Sequence, residues 1–437
     1  MKHRGRHRRR RRGRALRATL AGTALALTAA ATAISASQAT VADADGALQP
    51  IGVSTAAGRL PLTEHRVPER WLDRLASEMG RPVGVDAVLD DADRPLRDAA
   101  GCPAADKHTL PVEPAATRAY CFDAADTRGW RPGAVTTSGD ADDDGRWGEH
   151  RVILSGWTRG GTGGGSMDGP APERGLAKVA FVDADDSARL RYSWALLAVP
   201  VDGGRDYRGL VSPLSGMVWY QDKLLVTTRE GDRDALYVYD MDRIQRATVE
   251  SDAVGRVRGG WAAHGSRYVL PAVGSYTLPG GDGVPRPASV SLDRSTSPDS
   301  LVASEWVPAD ADRRTRLWRY PLSRDPARAG LLATGSGGRA DPVEAYETGT
   351  ADVRGVLAYR SDWYLDRAPG TPDGHGTLWR QDAGSARATE CGTDNTRHCW
   401  SGGSGSLSYW EETGEVWSQS GRMLFALPLA SIDRALG

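Results

Sequence analysis

The stretch GMVWYQDKLLVTTRE (216–230), followed by LYVYDMD (236–242), contains the pattern that decides the fold. Its first two runs are rich in valine, leucine and aromatic residues, and the polar pair Asp222-Lys223 separates them. Runs of this kind, bounded by turn residues, are typical of β-strands. We therefore predict strand, tight turn, strand, loop and strand over residues 216–242.

Similar segments recur along the chain. Two further copies of the first unit are GVLAYRSDWYLDRA (355–368) and GSLSYWEETGEVWSQS (405–420). The runs that resemble its last strand are VAFVDAD (179–185), LYVYDMD (236–242), LWRYPLS (317–323), LWRQDAG (378–384) and LFALPLA (424–430). Their spacing is uneven, but self-similarity over such distances indicates a repeat architecture.

A unit of three or four strands cannot bury both of its faces alone, whereas units arranged radially around an axis bury every face. We therefore predict an all-β fold, a β-propeller of about five blades with a short N-terminal helix. The blades would start near residues 133, 215, 288, 354 and 405, and the longest interval between third strands leaves room for a sixth. A β-sandwich built from the same strands is the alternative.

The last blade ends after its third strand, at Leu429, so closing the ring requires a strand from elsewhere. The segment KHTLPVEPAATRAYCFDA (107–124) is the candidate, and it would place a disulfide between Cys102 and Cys121 at the closure seam, where a covalent link stabilises most. Over roughly residues 107–437 the repeat pattern resembles that of the secreted bacterial β-propeller proteins. That resemblance implies an architecture without an assigned activity, because one propeller fold serves many functions.

The start of the chain has the three parts of an export signal. Lys2 and nine arginines precede an uncharged stretch over 18–34, and Ser37 and Ala39 suit a cleavage site. We predict a signal peptide over 1–39 for either the general or the twin-arginine route. A membrane anchor is the alternative, but the stretch is rich in alanine and threonine, and a permanent span favours larger apolar residues.

The predicted domain organisation follows from composition. Residues 40–66 are polar and aperiodic, which predicts a disordered lead-in. Residues 67–132 would hold a helix, VPERWLDRLASEMG (67–80), and the closure segment, and 133–437 the propeller. Loss of the signal would shift the formal net charge from -1 to about -11, so we expect no nucleic-acid partner. We also expect a monomer outside the cell or at its wall, with no membrane contact after cleavage.

The cysteines are even in number, which in an exported protein predicts disulfides. They are Cys102, Cys121, Cys391 and Cys399, and pairing within each local pair is the simplest of three connectivities. A four-thiolate zinc site is the alternative, although neither pair has the spacing of a zinc knuckle.

An acidic stretch, SGDADDDGRWGE (138–149), places carboxylates at alternate positions before a glycine, as in calcium-binding loops. Asp140, Asp142 and Asp144 would be ligands, with Glu149 as substitute for the closing glutamate. The alternatives are a structural calcium site in the first blade and a solvated acidic loop.

Two groups of residues are candidates for a functional site. Asp293 and Glu305 lie around a turn and, with His264, would supply acid/base chemistry if they converged at a central channel. Structural ion pairs are the competing interpretation. The candidate ligand-binding residues are Trp219, Tyr220, Trp261, Arg267, Arg294 and Trp410, because tryptophan and tyrosine suit surfaces that contact sugars or peptides.

Two functions remain open on the sequence alone. The favoured one is a non-catalytic protein that binds an extracellular glycan or peptide with one face of the propeller. The other is a secreted hydrolase or lyase, which requires at least two of Asp293, Glu305 and His264 to lie within hydrogen-bond reach in an open pocket.

Overall fold

The computed structural model describes residues 46–52, 59–160, 174–281, 283–371, 374–403 and 405–437. The predicted signal peptide over 1–39 lies outside the described residues, as does most of the glycine-rich stretch after Arg159. Within the described part of the chain, no helix has the length and apolar character that crossing a bilayer demands.

The described residues form a β-propeller of five blades, each with four antiparallel strands counted from the axis outwards. Blade 1 contains Trp130–Thr137, Val152–Arg159, Ala177–Asp183 and Arg191–Val201. Blade 2 contains Met217–Tyr220, Lys223–Thr227, Asp234–Asp240 and Tyr268–Thr277. Blade 3 contains Ser289–Asp293, Ser300–Ser304, Thr315–Pro321 and Glu344–Thr348. Blade 4 contains Val353–Tyr359, Asp362–Arg367, Thr377–Gln381 and Ala386–Ala388, and blade 5 contains Ser408–Trp410, Glu415–Ser420, Met423–Pro428 and Arg118–Cys121.

The inner strands of successive blades contact one another around the axis. Side-chain hydroxyls link them, since Trp219 N donates to Thr136 Oγ1 at 3.0 Å and Val356 N donates to Ser289 Oγ at 3.2 Å. Each strand side chain points into the space between two blades, which explains why both faces of the repeat are apolar. The prediction of a propeller with radially arranged blades is confirmed, and the β-sandwich alternative is wrong.

The long interval between blades 2 and 3 does not contain a sixth blade. It holds an excursion between the third and fourth strands of blade 2, with a hairpin of Val254–Val257 and Gly260–Ala263. The fourth strand then pairs with two blades. Its first residues run parallel to Arg191–Val201 of blade 1, and its later residues pair with Asp234–Asp240 of blade 2. The sheets of these two blades are therefore continuous.

The ring closes as the sequence predicts, because Arg118–Cys121 from the N-terminal side pairs with Met423–Pro428 as the outer strand of blade 5. Both disulfides join the local pairs, Cys102 with Cys121 and Cys391 with Cys399. The bond between Cys102 and Cys121 lies at the closure seam, because Cys121 pairs with Met423 in the sheet. It links the closure strand to residues that precede the closure segment and does not cross-link that strand to Met423–Pro428.

The prediction of a disordered lead-in over 40–66 is wrong for the described residues of that range. Gln49–Pro50 adds to the edge of blade 3, and Leu62–Arg66 pairs with Tyr268–Thr277. Polar, aperiodic sequence gains order here because blade edges offer free backbone partners and because Leu60 and Leu62 become buried.

The predicted helix spans Glu69–Met79, with Pro68 before it and Gly80 after it, and buries Leu72, Leu75 and Met79. The other short elements decorate the blades. The helices among them are Gly84–Asp90, Ala104–Lys107, Ser138–Ala141 and Leu429–Arg434, with 3-10 turns at Met241–Arg243, Pro326–Arg328 and Ser336–Gly338. The strands among them are Arg94–Pro95, Arg97–Asp98, Asp206–Gly209, Gln245–Arg246 and Arg339–Ala340.

Candidate functional site

One face of the propeller carries the turns that follow the five inner strands, and we call it the turn face. These turns are residues 138–151, 221–222, 294–299, 360–361 and 411–414. The segment 322–343, between the third and fourth strands of blade 3, lies on the same face. Because turns and loops are not committed to the sheet hydrogen bonds, this is where side chains are free to form a site.

A cleft of about 690 Å³ opens on the turn face between blades 1, 2 and 3, and we call it the axial cleft. Its walls are turn residues with polar and aromatic side chains. They are Asp142, Trp147, Tyr220, Gln221, Asp222, Ser297, Pro298, Asp299, Ser323, Arg324, Asp325, Pro326 and Ala329.

Tyr220 and Asp299 form the floor of the axial cleft, and Arg294 contacts both of them without lining the cleft. The Tyr220 hydroxyl donates to Asp299 Oδ2 at 3.0 Å, and Arg294 Nη1 lies 3.4 Å from the same oxygen. The Arg294 guanidinium also lies over the Tyr220 ring, 5.5 Å from its centroid. Burial raises the pKa of the Asp299 carboxyl, and the Tyr220 hydroxyl and Arg294 act in the opposite direction. Burial, together with the Asp299 charge, raises the pKa of Tyr220 to about 12.

Trp147 provides the aromatic wall of the axial cleft. It is partly exposed and packs on the buried Trp219, with 5.0 Å between ring centroids. Its backbone forms an antiparallel bridge with His150, in which each N–H donates to the other carbonyl. Trp147 is therefore held in place by backbone hydrogen bonds and by a second indole, with part of its surface left for a ligand.

The acidic loop at 138–149 does not form the predicted calcium site. Asp140 points inwards, Asp142 is exposed, and no three of Asp140, Asp142, Asp144 and Glu149 bring carboxylate oxygens within 4.8 Å of one another. Arg294 supplies the positive charge instead, since it pairs with Asp143 and donates to the Asp140 carbonyl oxygen at 2.7 Å. The loop thus packs around a guanidinium of blade 3, which ties blade 1 to blade 3.

Asp140 occupies the centre of the turn face. Its Oδ2 accepts hydrogen bonds from Thr136 Oγ1 at 2.6 Å and from Ser408 Oγ at 2.8 Å, so it joins blade 1 to blade 5. Burial raises the pKa of Asp140 to about 6, while the two hydroxyls and the Arg294 charge act to lower it. The Asp140 carboxylate therefore links the inner strands of blades 1 and 5 through two hydroxyl groups.

This environment predicts a pH-dependent contribution to stability. The folded state binds the Asp140 proton more tightly than the unfolded chain, whose pKa is near 3.8. Stability from this group should therefore decrease as the pH rises from about 3.8 to about 6, by on the order of 3 kcal/mol. Asp140→Asn should remove that slope, because the amide keeps an acceptor without titrating.

The measurement is urea denaturation of both proteins across this pH range. The difference in unfolding free energy between Asp140→Asn and the parent isolates this group from the other carboxyls. Parallel profiles for the two proteins would show that Asp140 does not titrate in this window.

The three candidates for acid/base catalysis do not converge. Asp293 is 1% exposed and forms an ion pair with Arg319 Nη1 at 2.6 Å. Glu305 lies at the opposite end of the same strand pair and accepts a hydrogen bond from Arg313 at 2.7 Å. His264 lies in the blade 2 excursion and donates from Nδ1 to the Asp252 carbonyl oxygen at 2.7 Å. Asp293 and Glu305 therefore form structural ion pairs with arginines, which is the competing interpretation from the sequence.

The predicted ligand-binding residues divide into two groups. Tyr220 and Arg294 meet at the axial cleft, and Trp219 supports it from beneath. The other three lie elsewhere. Trp261 stacks on Tyr207, Arg267 binds Asp93 at 2.9 Å, and Trp410 is buried in the core between blades 5 and 1.

One acidic group among the described residues has the spacing of a metal site, namely Asp222, Asp240 and Asp242. Lys223 Nζ lies among these carboxylates, pairing with Asp222 and with Asp240 at 3.2 Å. The ammonium group therefore supplies the charge that a cation would bring.

Sequence reasoning missed Trp147 and Asp299 as members of the site. Asp299 follows Pro298 at the end of the same turn that supplies Asp293 and Arg294, and Trp147 directly follows the acidic loop. Their proximity to turns that follow inner strands is the signal that points to them once the blades are assigned.

No protein-family model and no curated protein matches the sequence. Among solved structures, a gluconolactonase from Xanthomonas campestris aligns with 11% identity over 80% of this chain and 97% of its own, with a TM-score of 0.29. The subtype N11 neuraminidase-like protein of A/flat-faced bat/Peru/033/2010 (H18N11) aligns with 12% identity over 76% of this chain and 96% of its own, with a TM-score of 0.27. At these values no site residue is transferred from either protein.

Proposed function

We propose that the protein binds an extracellular glycan in the axial cleft and does not transform it. The observation that carries this proposal is the arrangement of Trp147 beside the Tyr220–Asp299–Arg294 group in an open cleft. A flat apolar surface next to fixed polar groups is the combination that small-molecule sites use to orient a ligand.

The polar groups of the cleft match sugar hydroxyls in chemistry. Asp142, Asp222 and Asp299 are acceptors, and Arg324 is a donor. Indole and phenol rings offer an apolar face with a polar edge, and such a face fits the C–H side of a sugar ring. Arg294 and Asp299 are already held by protein partners, so binding would need little side-chain ordering.

One observation supports binding over catalysis, and two support an extracellular location. Asp293 and Glu305, which a hydrolase in the central channel would use, are engaged in ion pairs with arginines. The two disulfides are of the kind that persists in oxidising compartments. The sequence before residue 40 has the pattern of an export signal.

The proposal predicts that Trp147→Ala weakens glycan binding about fivefold to tenfold, because loss of a stacked ring removes about 1–1.4 kcal/mol of binding free energy. A glycan array identifies the ligand, and titration calorimetry then measures the affinity. The matched control is Trp306→Ala. Trp306 is 43% exposed and follows the strand end that pairs with Ser289, on the opposite face.

The control variant should bind as the parent does. Equal loss in both variants, or no loss in Trp147→Ala with an unchanged melting temperature, would exclude the axial cleft as the binding site. Absence of binding to every glycan on the array would overturn the proposal itself.

Asp299 favours a second candidate function, that of a glycan hydrolase. A carboxyl with a raised pKa at an open cleft has the property that a general acid needs. Product analysis of the bound glycan after prolonged incubation tests it. Cleavage by the parent and its loss in Asp299→Asn would favour the enzyme, whereas intact glycan with both proteins leaves binding as the function.

A further inference from the structure

A second cleft continues the axial cleft towards the rim of the propeller, and we call it the distal cleft. The two clefts share Asp222, Pro326 and Ala329 as lining residues. The distal cleft has a volume of about 220 Å³ and lies between blade 2, the Pro326–Arg328 turn and the start of the Glu69–Met79 helix. The two clefts adjoin one another, and together, as the groove, they offer space for a ligand longer than one sugar.

The axial part of the groove is acidic at its mouth. Four carboxylates line it, those of Asp142, Asp222, Asp299 and Asp325, with the guanidinium of Arg324. Asp222 is paired with Lys223, and Asp299 lies 3.4 Å from Arg294, so the carboxylates of Asp142 and Asp325 carry the excess negative charge. Asp142 and Asp325 are exposed at the mouth, so their field reaches an approaching ligand.

The distal cleft is close to charge balance. Glu64, Glu69, Asp222 and Asp240 face Arg66, Lys223 and Arg243, and most of these groups are paired with each other. The excess negative charge is therefore confined to the axial end of the groove.

The central strand of the distal cleft offers no free edge to a peptide. This strand, Tyr268–Thr277, lines the cleft with Val273, Gly274 and Ser275, and it pairs with Asp234–Asp240 on one side and with Leu62–Arg66 on the other. Peptides that bind in extended form rely on unpaired backbone groups at a strand edge. A ligand that lies along this strand must instead be recognised by side chains.

We propose that the ligand of the groove is an oligosaccharide with free amino groups, whose ammonium groups contact the carboxylates of the axial cleft. This inference rests on the proposed glycan binding and names its chemical class. The C–H faces of the sugar rings match the aromatic surface, and the hydroxyl groups match the acceptors. The ammonium groups match the excess of carboxylate acceptors over donors in the axial cleft.

The test compares two probes with the same backbone, a hexamer of β-1,4-linked glucosamine and its fully N-acetylated counterpart. At about pH 5.5, above the ordinary pKa of aspartate, the glucosamine hexamer should bind at least about tenfold more tightly. Rising salt should reduce this preference, because exposed charges are screened.

Two sets of variants locate the charge effect and the length effect. Asp142→Asn with Asp325→Asn should abolish the preference, whereas Asp310→Asn with Asp312→Asn, exposed on the opposite face, should leave it unchanged. Ala327→Trp places a large side chain in the distal cleft from its exposed edge. This variant should weaken binding of the glucosamine hexamer and leave binding of the glucosamine dimer unchanged.

The outcomes separate this inference from the proposed function. Equal binding of both hexamers, or binding of a neutral glucan alone, would overturn the amino-sugar inference while glycan binding stands. Equally tight binding of hexalysine would also overturn it, because charge alone would then suffice. Failure of every oligosaccharide to bind would overturn the proposed function together with the inference.

Discussion

Replacing Phe122 with alanine is expected to lower the free energy of unfolding by about 3–5 kcal/mol, the cost of removing a buried phenylalanine. Phe122 directly follows the closure strand Arg118–Cys121 and is fully buried. Its ring contacts Trp157, Tyr192 and Trp194 of blade 1, at centroid distances of 5.1, 5.0 and 6.0 Å. The side chain thus connects the outer strand of the last blade to the first blade.

Urea denaturation followed by tryptophan fluorescence measures the effect. The matched control is Val112→Ala, in the same segment and 54% exposed, which should change stability by less than about 0.5 kcal/mol. A Phe122→Ala variant as stable as the control would show that ring closure does not depend on this contact.

Replacing Asp293 with alanine is expected to cost about 3–5 kcal/mol, because it leaves the Arg319 guanidinium buried without its main partner. Arg319 is 5% exposed and Asp293 is 1% exposed, and they join two strands of blade 3. Asp293 Oδ1 also accepts hydrogen bonds from the backbone N–H and hydroxyl of Ser295, which shape the turn at the start of 294–299.

The control is Glu344→Gln, since Glu344 pairs with the same guanidinium at 2.9 Å but is 38% exposed. It should cost less than about 1 kcal/mol. The double variant Asp293→Leu with Arg319→Met should recover most of the stability, because an apolar pair needs no charge compensation. If Asp293→Ala kept full stability and lost a hydrolytic activity, the residue would be catalytic after all.

The repeated strand pattern made the five blades and their starting points predictable. Alternating apolar runs with polar turns such as Gln221-Asp222 encode strand pairs locally, and a last blade with three strands required a partner from residues 107–124. The ordered strands of residues 46–66 were not predictable, because their stability comes from the edges of blades 2 and 3 and not from their own composition.

The candidate site was predictable only in part. Tyr220 and Arg294 have residue types typical of binding surfaces. Tyr220 lines the axial cleft, and Arg294 contacts the ring of Tyr220. Nothing local distinguishes Trp219 from its neighbour Tyr220, yet strand alternation buries the first and directs the hydroxyl of the second to Asp299. The acidic loop has the spacing of calcium ligands. However, its positive charge comes from Arg294 of blade 3, which pairs with Asp143 and donates to the Asp140 carbonyl oxygen.

By itself, the sequence predicted the strand units, a propeller of about five blades and, as the simplest of three connectivities, the local disulfide pairs, because these depend on periodicity and on contacts close along the chain. Only the tertiary structure decided which turns meet at the axis, which carboxylates are paired with arginines and which face solvent. The physical reason is that radial packing brings together turns from blades far apart in sequence, such as those of Asp140, Tyr220 and Asp299, and long-range charge pairing leaves no local pattern.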